Sequence, residues 1–308
     1  MRDRLFTLIG GGGFLGRYVA QALLATGARV RIAQRDPREA WYLKPLGGLG
    51  QTQFVAADIA RPETIERAIA GADGVVNLVG SFTGDLDRIH VAGPRALAEA
   101  ARRAGVGALV HVSAIGADAN AEAQYARTKG AGEAAVREAF PAATILRPST
   151  VFGREDKFIN MFAGLIARLP VVPVLKPNTR FQPVFAGDVG DAVAAALRDP
   201  ARFGGRTFEL GGPDVLTMME LQQWIARQIG RAPSLVALPD ALGGLLAALP
   251  GAPISRDQWR LLQKDTVVAP GADGLEALGI TPTPLAAIAP GWLVRYQRAG
   301  RFARPTAA

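Results

Sequence analysis

The sequence predicts an α/β fold in which a doubly wound, parallel sheet is covered by helices on both faces. Through about the first 150 residues, short runs rich in valine, isoleucine and leucine alternate with helix-forming stretches. One of these runs, residues 74–80, is almost entirely apolar, as in a parallel strand buried on both faces. The first run, residues 5–9, breaks into four consecutive glycines and is followed by an amphipathic helical pattern.

Each strand and helix follows from the same patterns in chain order. The predicted strands cover residues 5–9, 29–33, 53–57, 74–80, 108–112, 143–146 and 207–212. The predicted helices begin at residues 14 and 62, cover residues 90–104, 158–169 and 189–197, and include a stretch around Tyr125 that ends near Phe140. Asp188 is expected to cap the helix over residues 189–197.

The alternation of strand and helix loosens after residue 150, which predicts a second, smaller region. Residues 1–150 are expected to form the sheet domain, completed by about residues 183–212. Residues 213–308 are expected to form a mostly helical lid that faces the substrate or a partner. Its predicted helices cover residues 217–229, 239–249, 255–264 and 284–298, and a mobile tail is expected from Gly300.

The composition excludes several classes of function. At 49% hydrophobic and 20% charged residues, the 308-residue chain is typical of a globular protein. It has no cysteine and only two histidines, which excludes thiolate metal sites and makes a histidine-built metal centre unexpected. The net charge of +8 favours an anionic partner, namely a phosphorylated cofactor, an anionic membrane surface or an acidic protein, although ordinary solvated arginines account for much of it. No nucleic-acid-binding motif is present, so no nucleic-acid partner is expected.

Targeting and membrane signals are also missing from the sequence. The N-terminus enters a predicted strand within a few residues, without the pattern of a signal or transit peptide. The longest apolar segment, residues 235–249, is too short to span a bilayer and is broken by Pro239, Asp240 and a pair of glycines. We therefore expect a soluble protein, or one that rests on a membrane surface.

The glycines after the first strand predict a binding site for a dinucleotide. Gly10, Gly13 and Gly16 have GxxGxxG spacing between a strand and a helix, the context that defines a Rossmann fold. Glycine tolerates a positive φ and lets a phosphate approach the backbone. The new helix, which begins with Phe14 and Leu15, offers free N–H groups and the positive end of its dipole. The alternative is a glycine-rich turn without a ligand.

The residues after the second strand favour NADP(H) over NAD(H). An acid at this point binds the ribose hydroxyls of NAD, whereas an arginine meets the 2′-phosphate of NADP. Here Gln34 and Arg35 follow the strand directly and Arg38 is close behind. Asp36 precedes a proline, so it is either the ribose-binding acid or the cap of a turn or helix.

Further candidate cofactor contacts lie at the ends of later strands. Asp58 ends the third strand, where an acid commonly lies beside the adenine, although it could instead cap the loop before the next helix. Gly80 ends the fourth strand and permits close approach of the cofactor. The remaining candidate contacts are neighbours of these residues or lie where the sixth strand leaves the sheet: Ile59, Val79 and Pro148.

Ser113, Tyr125 and Lys129 form a candidate catalytic set. Tyr125 and Lys129 are four residues apart and therefore share one face of a helix. An ammonium beside a phenol favours the phenolate and is expected to lower the tyrosine pKa from about 10. Such a tyrosine can exchange a proton with a carbonyl or alcohol while a nicotinamide carries the hydride. Ser113, after the fifth strand, can bond to the same substrate oxygen.

These residues resemble the motifs of the short-chain dehydrogenase/reductase superfamily, in its extended and atypical branches. The resemblance covers the sheet domain and rests on Gly10, Gly13, Phe14, Gly16, Asp58, Ser113, Tyr125 and Lys129. It implies that Lys129 also holds the nicotinamide ribose. Three departures from the pattern weaken turnover more than cofactor binding: Ile9 before the first glycine, His90 in place of a common asparagine, and Ala114 after Ser113.

A closer resemblance is to the nucleotide-binding accessory subunit family of respiratory complex I, NADH:ubiquinone oxidoreductase. It is carried by residues 111–118, 146–149, 152–156, 180–184 and 257–259. The resemblance implies a tightly held NADPH and a structural role near the quinone-binding region, at the membrane surface. It implies a bacterial cytoplasmic protein, peripheral on the inner membrane, in contact with complex I subunits. Residues 235–249 then form either a segment that contacts the membrane surface or an ordinary core helix.

Two hypotheses of function remain open at this point. The first is an NADP(H)-holding accessory subunit, or an assembly or stability factor, of complex I. The second is an active NADPH-dependent oxidoreductase or epimerase that uses Tyr125 and Lys129 on a quinone-like, isoprenoid or sugar-derived carbonyl.

Overall fold

A computed structural model describes residues 1–248, 254–298 and 300 of the chain. The strands are β1 Leu5–Ile9, β2 Arg29–Gln34, β3 Thr52–Ala56, β4 Gly74–Asn77, β5 Ala108–Val112, β6 Thr144–Pro148, β7 Val151–Phe152, β8 Val171–Val174, β9 Arg180–Phe181, β10 Val184–Phe185, β11 Thr207–Leu210, β12 Leu216–Thr217 and β13 Ser234–Ala237. The α-helices are α1 Phe14–Ala25, α2 Pro62–Ile69, α3 Gly93–Arg103, α4 Gln124–Ala139, α5 Phe158–Arg168, α6 Ala186–Arg198, α7 Pro200–Phe203, α8 Met218–Gln228, α9 Asp240–Ala248, α10 Arg256–Leu261, α11 Leu285–Ile288 and α12 Pro290–Leu293. Tighter turns cover Pro37–Leu46, Glu276–Leu278 and Val294–Tyr296, and a π-helical turn covers Arg88–Ala92.

The chain divides into two compact units, and the division differs from the expected one. The first unit is Met1–Ser149, Ala186–Gly211 and Val268–Pro282, and the second is Thr150–Phe185, Gly212–Val267 and Thr283–Ala308. The expected lid over residues 213–308 therefore loses residues 268–282 to the sheet unit. The second unit also gains residues 150–185, which precede the strand that completes the sheet.

The first unit contains the predicted doubly wound sheet. Its seven strands are parallel and lie in the order β11-β6-β5-β4-β1-β2-β3. Helices α2, α3 and α4 pack on one face, where Ile9, Val75 and Leu109 point into a common core. Helices α1 and α6 pack against each other, and at Gly190 a side chain would run into the backbone of Tyr18. The strand order reverses between β1 and β4, where sheets of this kind bind their ligands.

Several predicted boundaries in this unit are wrong. The last strand ends at Leu210 rather than at residue 212. The fourth strand ends at Asn77 rather than at residue 80, and Val79 and Gly80 belong to the loop that follows it. Helix α6 begins at Ala186, so Asp188 lies in its first turn instead of capping it. There an acidic side chain still faces the positive end of the helix dipole.

The second unit contains more strand than its sequence predicts. It has three short ladders, β7 with β10, β8 with β13 and β9 with β12, beside a core from α5, α8 and α12. The predicted helix over residues 284–298 is divided into α11, α12 and a final tight turn. Pro290 begins α12 because its ring is tolerated only in the first turn of a helix. The end of the predicted helix 239–249 and the tail predicted from Gly300 lie outside the described residues, apart from Gly300 itself.

Candidate functional site

A backbone cradle follows β1 at the point where the strand order reverses. Gly10 has a φ of +80°, and a side chain there would press on Val79, 3.0 Å away. At Gly16 a side chain would run into the backbone of Gly11. Gly13 is exposed and forms the N-cap of α1, so the first amides of the helix, from Phe14 onward, are not covered by a side chain cap. The cradle fits a pyrophosphate, which binds backbone amides at a helix N-terminus.

The residues after β2 form a small charged cluster. The Asp36 carboxylate accepts the Arg38 backbone N–H at 3.0 Å and the Arg38 guanidinium at 2.8 Å. Asp36 therefore caps the turn that begins at Pro37, and the bonds from Arg38 lower the pKa of Asp36. Arg35 is exposed and, among the described residues, has no carboxylate partner. Of the two arginines predicted to meet a 2′-phosphate, Arg35 is thus the less constrained.

Asp58 lies in the loop between β3 and α2, where it bonds to the loop itself. Its carboxylate accepts the Ala60 backbone N–H at 3.0 Å and lies 3.9 Å from the Arg61 guanidinium. The neighbouring Ile59 is buried, and a side chain at Gly93 would run into its carbonyl oxygen. These contacts agree with the loop-capping alternative, and they leave the adenine contact of Asp58 a prediction. Pro148 ends β6 beside Leu210 of β11.

Lys129 reaches the carboxyl end of β5, directly before Ser113. The Lys129 ammonium donates to the carbonyl oxygen of Val112, the last residue of β5, at 3.1 Å. Its Nζ atom also lies 3.5 Å from the place where a side chain on Gly80 would begin. The Ser113 hydroxyl is buried and has no hydrogen-bond partner within the described part of the chain. A buried hydroxyl without a partner is unfavourable, and a substrate oxygen would satisfy it.

Tyr125, one turn before Lys129 on α4, contacts two aromatic rings. The Phe82 ring stacks on it with centroids 4.3 Å apart and planes 18° apart. The His90 ring meets it edge-on at 5.4 Å and 89°. Burial raises the pKa of Tyr125 to about 12, so the expectation that Lys129 lowers it is wrong for this structure. Lys129 bonds to Val112 instead, and burial lowers the Lys129 pKa to about 8 while Glu133 opposes that shift.

Both histidines of the chain lie in this buried cluster, which sequence reasoning did not assemble. His90 Nε2 accepts the Ser81 backbone N–H at 3.1 Å, and His90 Nδ1 lies 2.9 Å from the Thr128 hydroxyl. Burial, together with the Lys129 charge, lowers the pKa of His90 to about 4. His111 Nδ1 pairs with the Asn77 side-chain amide at 3.0 Å, and burial holds its pKa well below the usual value. Both rings are therefore neutral near pH 7.

The sequence carried only weak signals for these neighbours. In the sequence His90 is only a departure from a common asparagine, and His111 is only the first residue of the stretch 111–118 that carries the family resemblance. Phe82 lies in no motif, and nothing in the spacing of the sequence brings it to Tyr125. Thr128 lies between Tyr125 and Lys129 on α4, but the spacing does not bring it to His90. The only signal in the sequence is that the chain has just two histidines. In the structure the charge of Lys129 acts on both of them.

Metal clusters and membrane-spanning helices are both absent from the described residues. Within residues 1–248, 254–298 and 300, no three His, Asp or Glu side chains are grouped so that they could hold a metal ion. In the same residues, every helix is too short or too polar to traverse a lipid bilayer.

The chain belongs to the NAD dependent epimerase/dehydratase family, whose model matches residues 6–211. This confirms the predicted Rossmann fold and the resemblance to NAD(P)-binding dehydrogenases. The chain is also 33% identical to the mitochondrial NADH dehydrogenase [ubiquinone] 1 alpha subcomplex subunit 9 of Arabidopsis thaliana. The similarity covers 96% of this chain and 78% of that protein. The predicted resemblance to the complex I accessory subunit family is thereby confirmed.

Two further similarities concern an enzyme and a solved structure. The chain is 32% identical to the ceramide reductase of Caulobacter vibrioides, over 78% of this chain and 75% of that enzyme. The crystal structure of Citrobacter sp. triphenylmethane reductase complexed with NADP(H) superimposes with a TM-score of 0.73 at 19% identity. That superposition covers 91% of this chain and 97% of the reductase chain. At this identity the match establishes the shared fold.

Proposed function

We propose that the protein holds NADP(H) as an accessory, structural subunit of respiratory complex I, or as an assembly or stability factor of it. The observation that carries the proposal is the similarity to the Arabidopsis NADH dehydrogenase subunit over 96% of the chain. The open glycine cradle supports the nucleotide part of the proposal. Its partners would be other complex I subunits at a membrane surface.

The cofactor would lie along the carboxyl edge of the sheet. The backbone at Gly10, Gly13, Phe14, Leu15 and Gly16 would bind the pyrophosphate. Gly10 and Gly13 would let it approach, since their own amides bond to the carbonyl oxygens of Ala33 and Gly10. The amides at the start of α1, which lack a side-chain cap, would bind it. Arg35, with Arg38 behind it, would bind the 2′-phosphate, which favours NADP(H) over NAD(H). The other contacts would be made by residues at the ends of β3, β4, β6 and on α4: Asp58, Ile59, Val79, Gly80, Tyr125, Lys129 and Pro148.

The proposed location is the cytoplasmic face of a bacterial inner membrane. The distribution of charge supports an anionic surface or partner there. Of the 35 Lys+Arg residues, 14 lie in the second unit, against 7 of the 27 Asp+Glu residues, so this unit carries most of the net positive charge. Such an excess attracts anionic lipids or acidic proteins.

Native mass spectrometry of gently solubilised membranes tests this proposal in one measurement. We expect the chain to appear with complex I subunits and with one NADP(H) per copy. Recovery of the chain only as a free soluble protein would refute the accessory role. Recovery in the complex without a nucleotide would refute the cofactor part alone.

The second candidate is an NADPH-dependent reductase or epimerase that acts on a quinone-like, isoprenoid or sugar-derived carbonyl. The unpartnered Ser113 hydroxyl, one residue after the carbonyl that Lys129 binds, favours it, and so does the similarity to a ceramide reductase. Bound NADPH would supply the hydride. The Tyr125 hydroxyl would give its proton to the carbonyl oxygen, Ser113 would donate a hydrogen bond to the same oxygen, and Lys129 would stabilise the phenolate that remains.

The substitution Tyr125→Phe separates the two candidates. Under the second, it removes the proton donor, so turnover falls by a factor of about 100 or more while NADPH stays bound. The matched control is Tyr296→Phe in the second unit, whose hydroxyl donates to Asn160. If wild-type protein loaded with NADPH reduces no member of a broad carbonyl panel, the accessory role remains.

A further inference from the structure

Phe82 is an exposed apolar side chain placed directly beside the candidate catalytic tyrosine. It lies in the loop after β4, and 51% of its surface is exposed although one face stacks on Tyr125. The stack covers one face of Phe82, and much of the remaining surface is open to solvent. An aromatic ring presented in this way is a surface on which another flat ring can stack.

The loop that carries Phe82 is anchored by His90. The Ser81 backbone N–H, one residue before Phe82, donates to His90 Nε2, so His90 Nδ1 carries the proton and donates to the Thr128 hydroxyl. Thr128 in turn donates to the Gln124 carbonyl oxygen on α4 at 2.9 Å. The chain from Ser81 through His90 to α4 therefore ties the Phe82 loop to the helix that carries Tyr125.

The anchor is stable at neutral pH. Near pH 7 His90 is neutral, because burial and the Lys129 charge disfavour its protonated form. The ring therefore keeps an acceptor for Ser81 and a donor for Thr128. Ser81 and Thr83 also bond to each other within the loop, at 2.8 and 3.1 Å. Phe82 is thus held in place rather than lying over Tyr125 by chance.

A fixed phenyl face at this point discriminates between substrates. A flat, conjugated carbonyl compound gains stacking energy on Phe82. A sugar ring is puckered and gains less from the phenyl face, and any hydroxyl turned toward that face would lose hydrogen bonds to water. We propose that Phe82 is a specificity-determining residue, which directs the site toward apolar, planar carbonyl compounds of the quinone class and against polyhydroxylated sugars.

This inference rests on the second candidate function, the carbonyl site, and it can be tested by binding. The protein is loaded with NADP⁺, which has no hydride to transfer, and titrated calorimetrically with 2,3-dimethoxy-5-methyl-1,4-benzoquinone or with UDP-glucose. Wild-type protein is expected to bind the quinone more tightly than the sugar nucleotide. Phe82→Ala should weaken quinone binding by about two- to tenfold, the range of one aromatic stack, and leave UDP-glucose unchanged.

Three further variants complete the test. Phe82→Leu keeps the apolar volume without the ring, so quinone binding should fall between wild type and Phe82→Ala. His90→Ala should weaken quinone binding in the same direction, because it releases the anchor of the loop. Leu49→Ala removes another exposed apolar side chain, in the loop before β3, and should change nothing.

The outcomes separate this inference from the proposed function. Failure of the wild-type protein to bind NADP⁺ would refute the cofactor role itself. Bound NADP⁺ with no quinone binding, with equal binding by Phe82→Ala, or with tighter binding of UDP-glucose would each overturn the role of Phe82 and leave the cofactor role standing.

Discussion

Replacing Arg35 by alanine should reduce the affinity for NADP⁺ and leave the affinity for NAD⁺ unchanged. The prediction follows from the charged cluster after β2. The Arg38 guanidinium forms three hydrogen bonds with the Asp36 carboxylate, whereas Arg35 has no such partner among the described residues. NADP⁺ differs from NAD⁺ only by its 2′-phosphate. Arg35 can bind this phosphate without first breaking an ion pair, whereas Arg38 would have to leave Asp36, which costs free energy.

The size of the effect can be worked out from the exposure of Arg35. A charge-assisted hydrogen bond contributes about 1.5–3 kcal/mol. Arg35 is exposed, so solvent and salt screen it and the lower end of the range applies. The expected loss is therefore about tenfold in the Kd for NADP⁺. Arg38→Ala should cost about twofold, since it removes a guanidinium that is already paired at the surface.

Calorimetric titration of NADP⁺ and NAD⁺ into wild type, Arg35→Ala and Arg38→Ala measures both effects. A further variant, Asp36→Asn, keeps the cap of the turn but removes the negative charge that pairs with Arg38. It should strengthen NADP⁺ binding. Equal losses for both nucleotides in Arg35→Ala would show that Arg35 contacts a part common to both. No loss for either would refute the assignment of this strand end to the 2′-phosphate.

Three predictions concern stability and are measured by urea denaturation. Gly16→Ala should lower the free energy of unfolding by about 1–3 kcal/mol and abolish NADP⁺ binding, because its new methyl group meets the Gly11 backbone. Acidification from pH 6.5 to about 4 should destabilise the protein by up to about 3 kcal/mol through His90, whose pKa falls from 6.5 to about 4 on folding, so the unfolded state binds the proton first. Glu133→Gln should cost about 3–5 kcal/mol, because this buried carboxylate is paired with Arg147 at 2.7 and 2.9 Å.

Each of these predictions has a matched control. Gly291→Ala adds a methyl group that meets nothing within 4 Å and should be close to neutral. His90→Asn should reduce the acid dependence without removing it, because the buried His111 contributes in the same direction. An unchanged slope would assign the acid dependence to other groups. Glu138→Gln breaks an exposed pair with Arg95 and should cost less than about 1 kcal/mol. A loss at Glu138 as large as at Glu133 would contradict the argument from burial.

The sheet was predictable because its signals are local. The strands at residues 5–9 and 108–112 and the start of α2 at Pro62 agree with the structure, since apolar runs and a proline at a helix start are read within a few residues. The division into units was not predictable in this way. Residues 268–282 join the sheet unit through contacts such as the Ala269 N–H to the Glu209 carboxylate, 60 residues away.

In the candidate site, too, the sequence predicts local spacing but not the contacts that single side chains make in the folded protein. Spacing placed Tyr125 and Lys129 on one face of α4, but it gave no information on how deeply that face is buried or what lies opposite. In the structure the ammonium bonds to Val112, and desolvation dominates both pKa values. Tyr125 therefore becomes a better proton donor only if something shifts Lys129 toward it.

A bound cofactor is therefore expected to change the position of Lys129 and, through it, the pKa of Tyr125. Lys129 lies against Gly80 and the end of β5, where the family resemblance implies a ribose hydroxyl. A hydroxyl there would compete with the Val112 carbonyl oxygen for the ammonium and restore solvation that burial removed, which raises the lysine pKa from about 8. We therefore expect the Tyr125 pKa, followed by ultraviolet titration of the phenolate against Tyr125→Phe, to fall when NADP⁺ binds. An unchanged Tyr125 pKa in the loaded protein would mean that Lys129 serves the cofactor alone, as the accessory role requires.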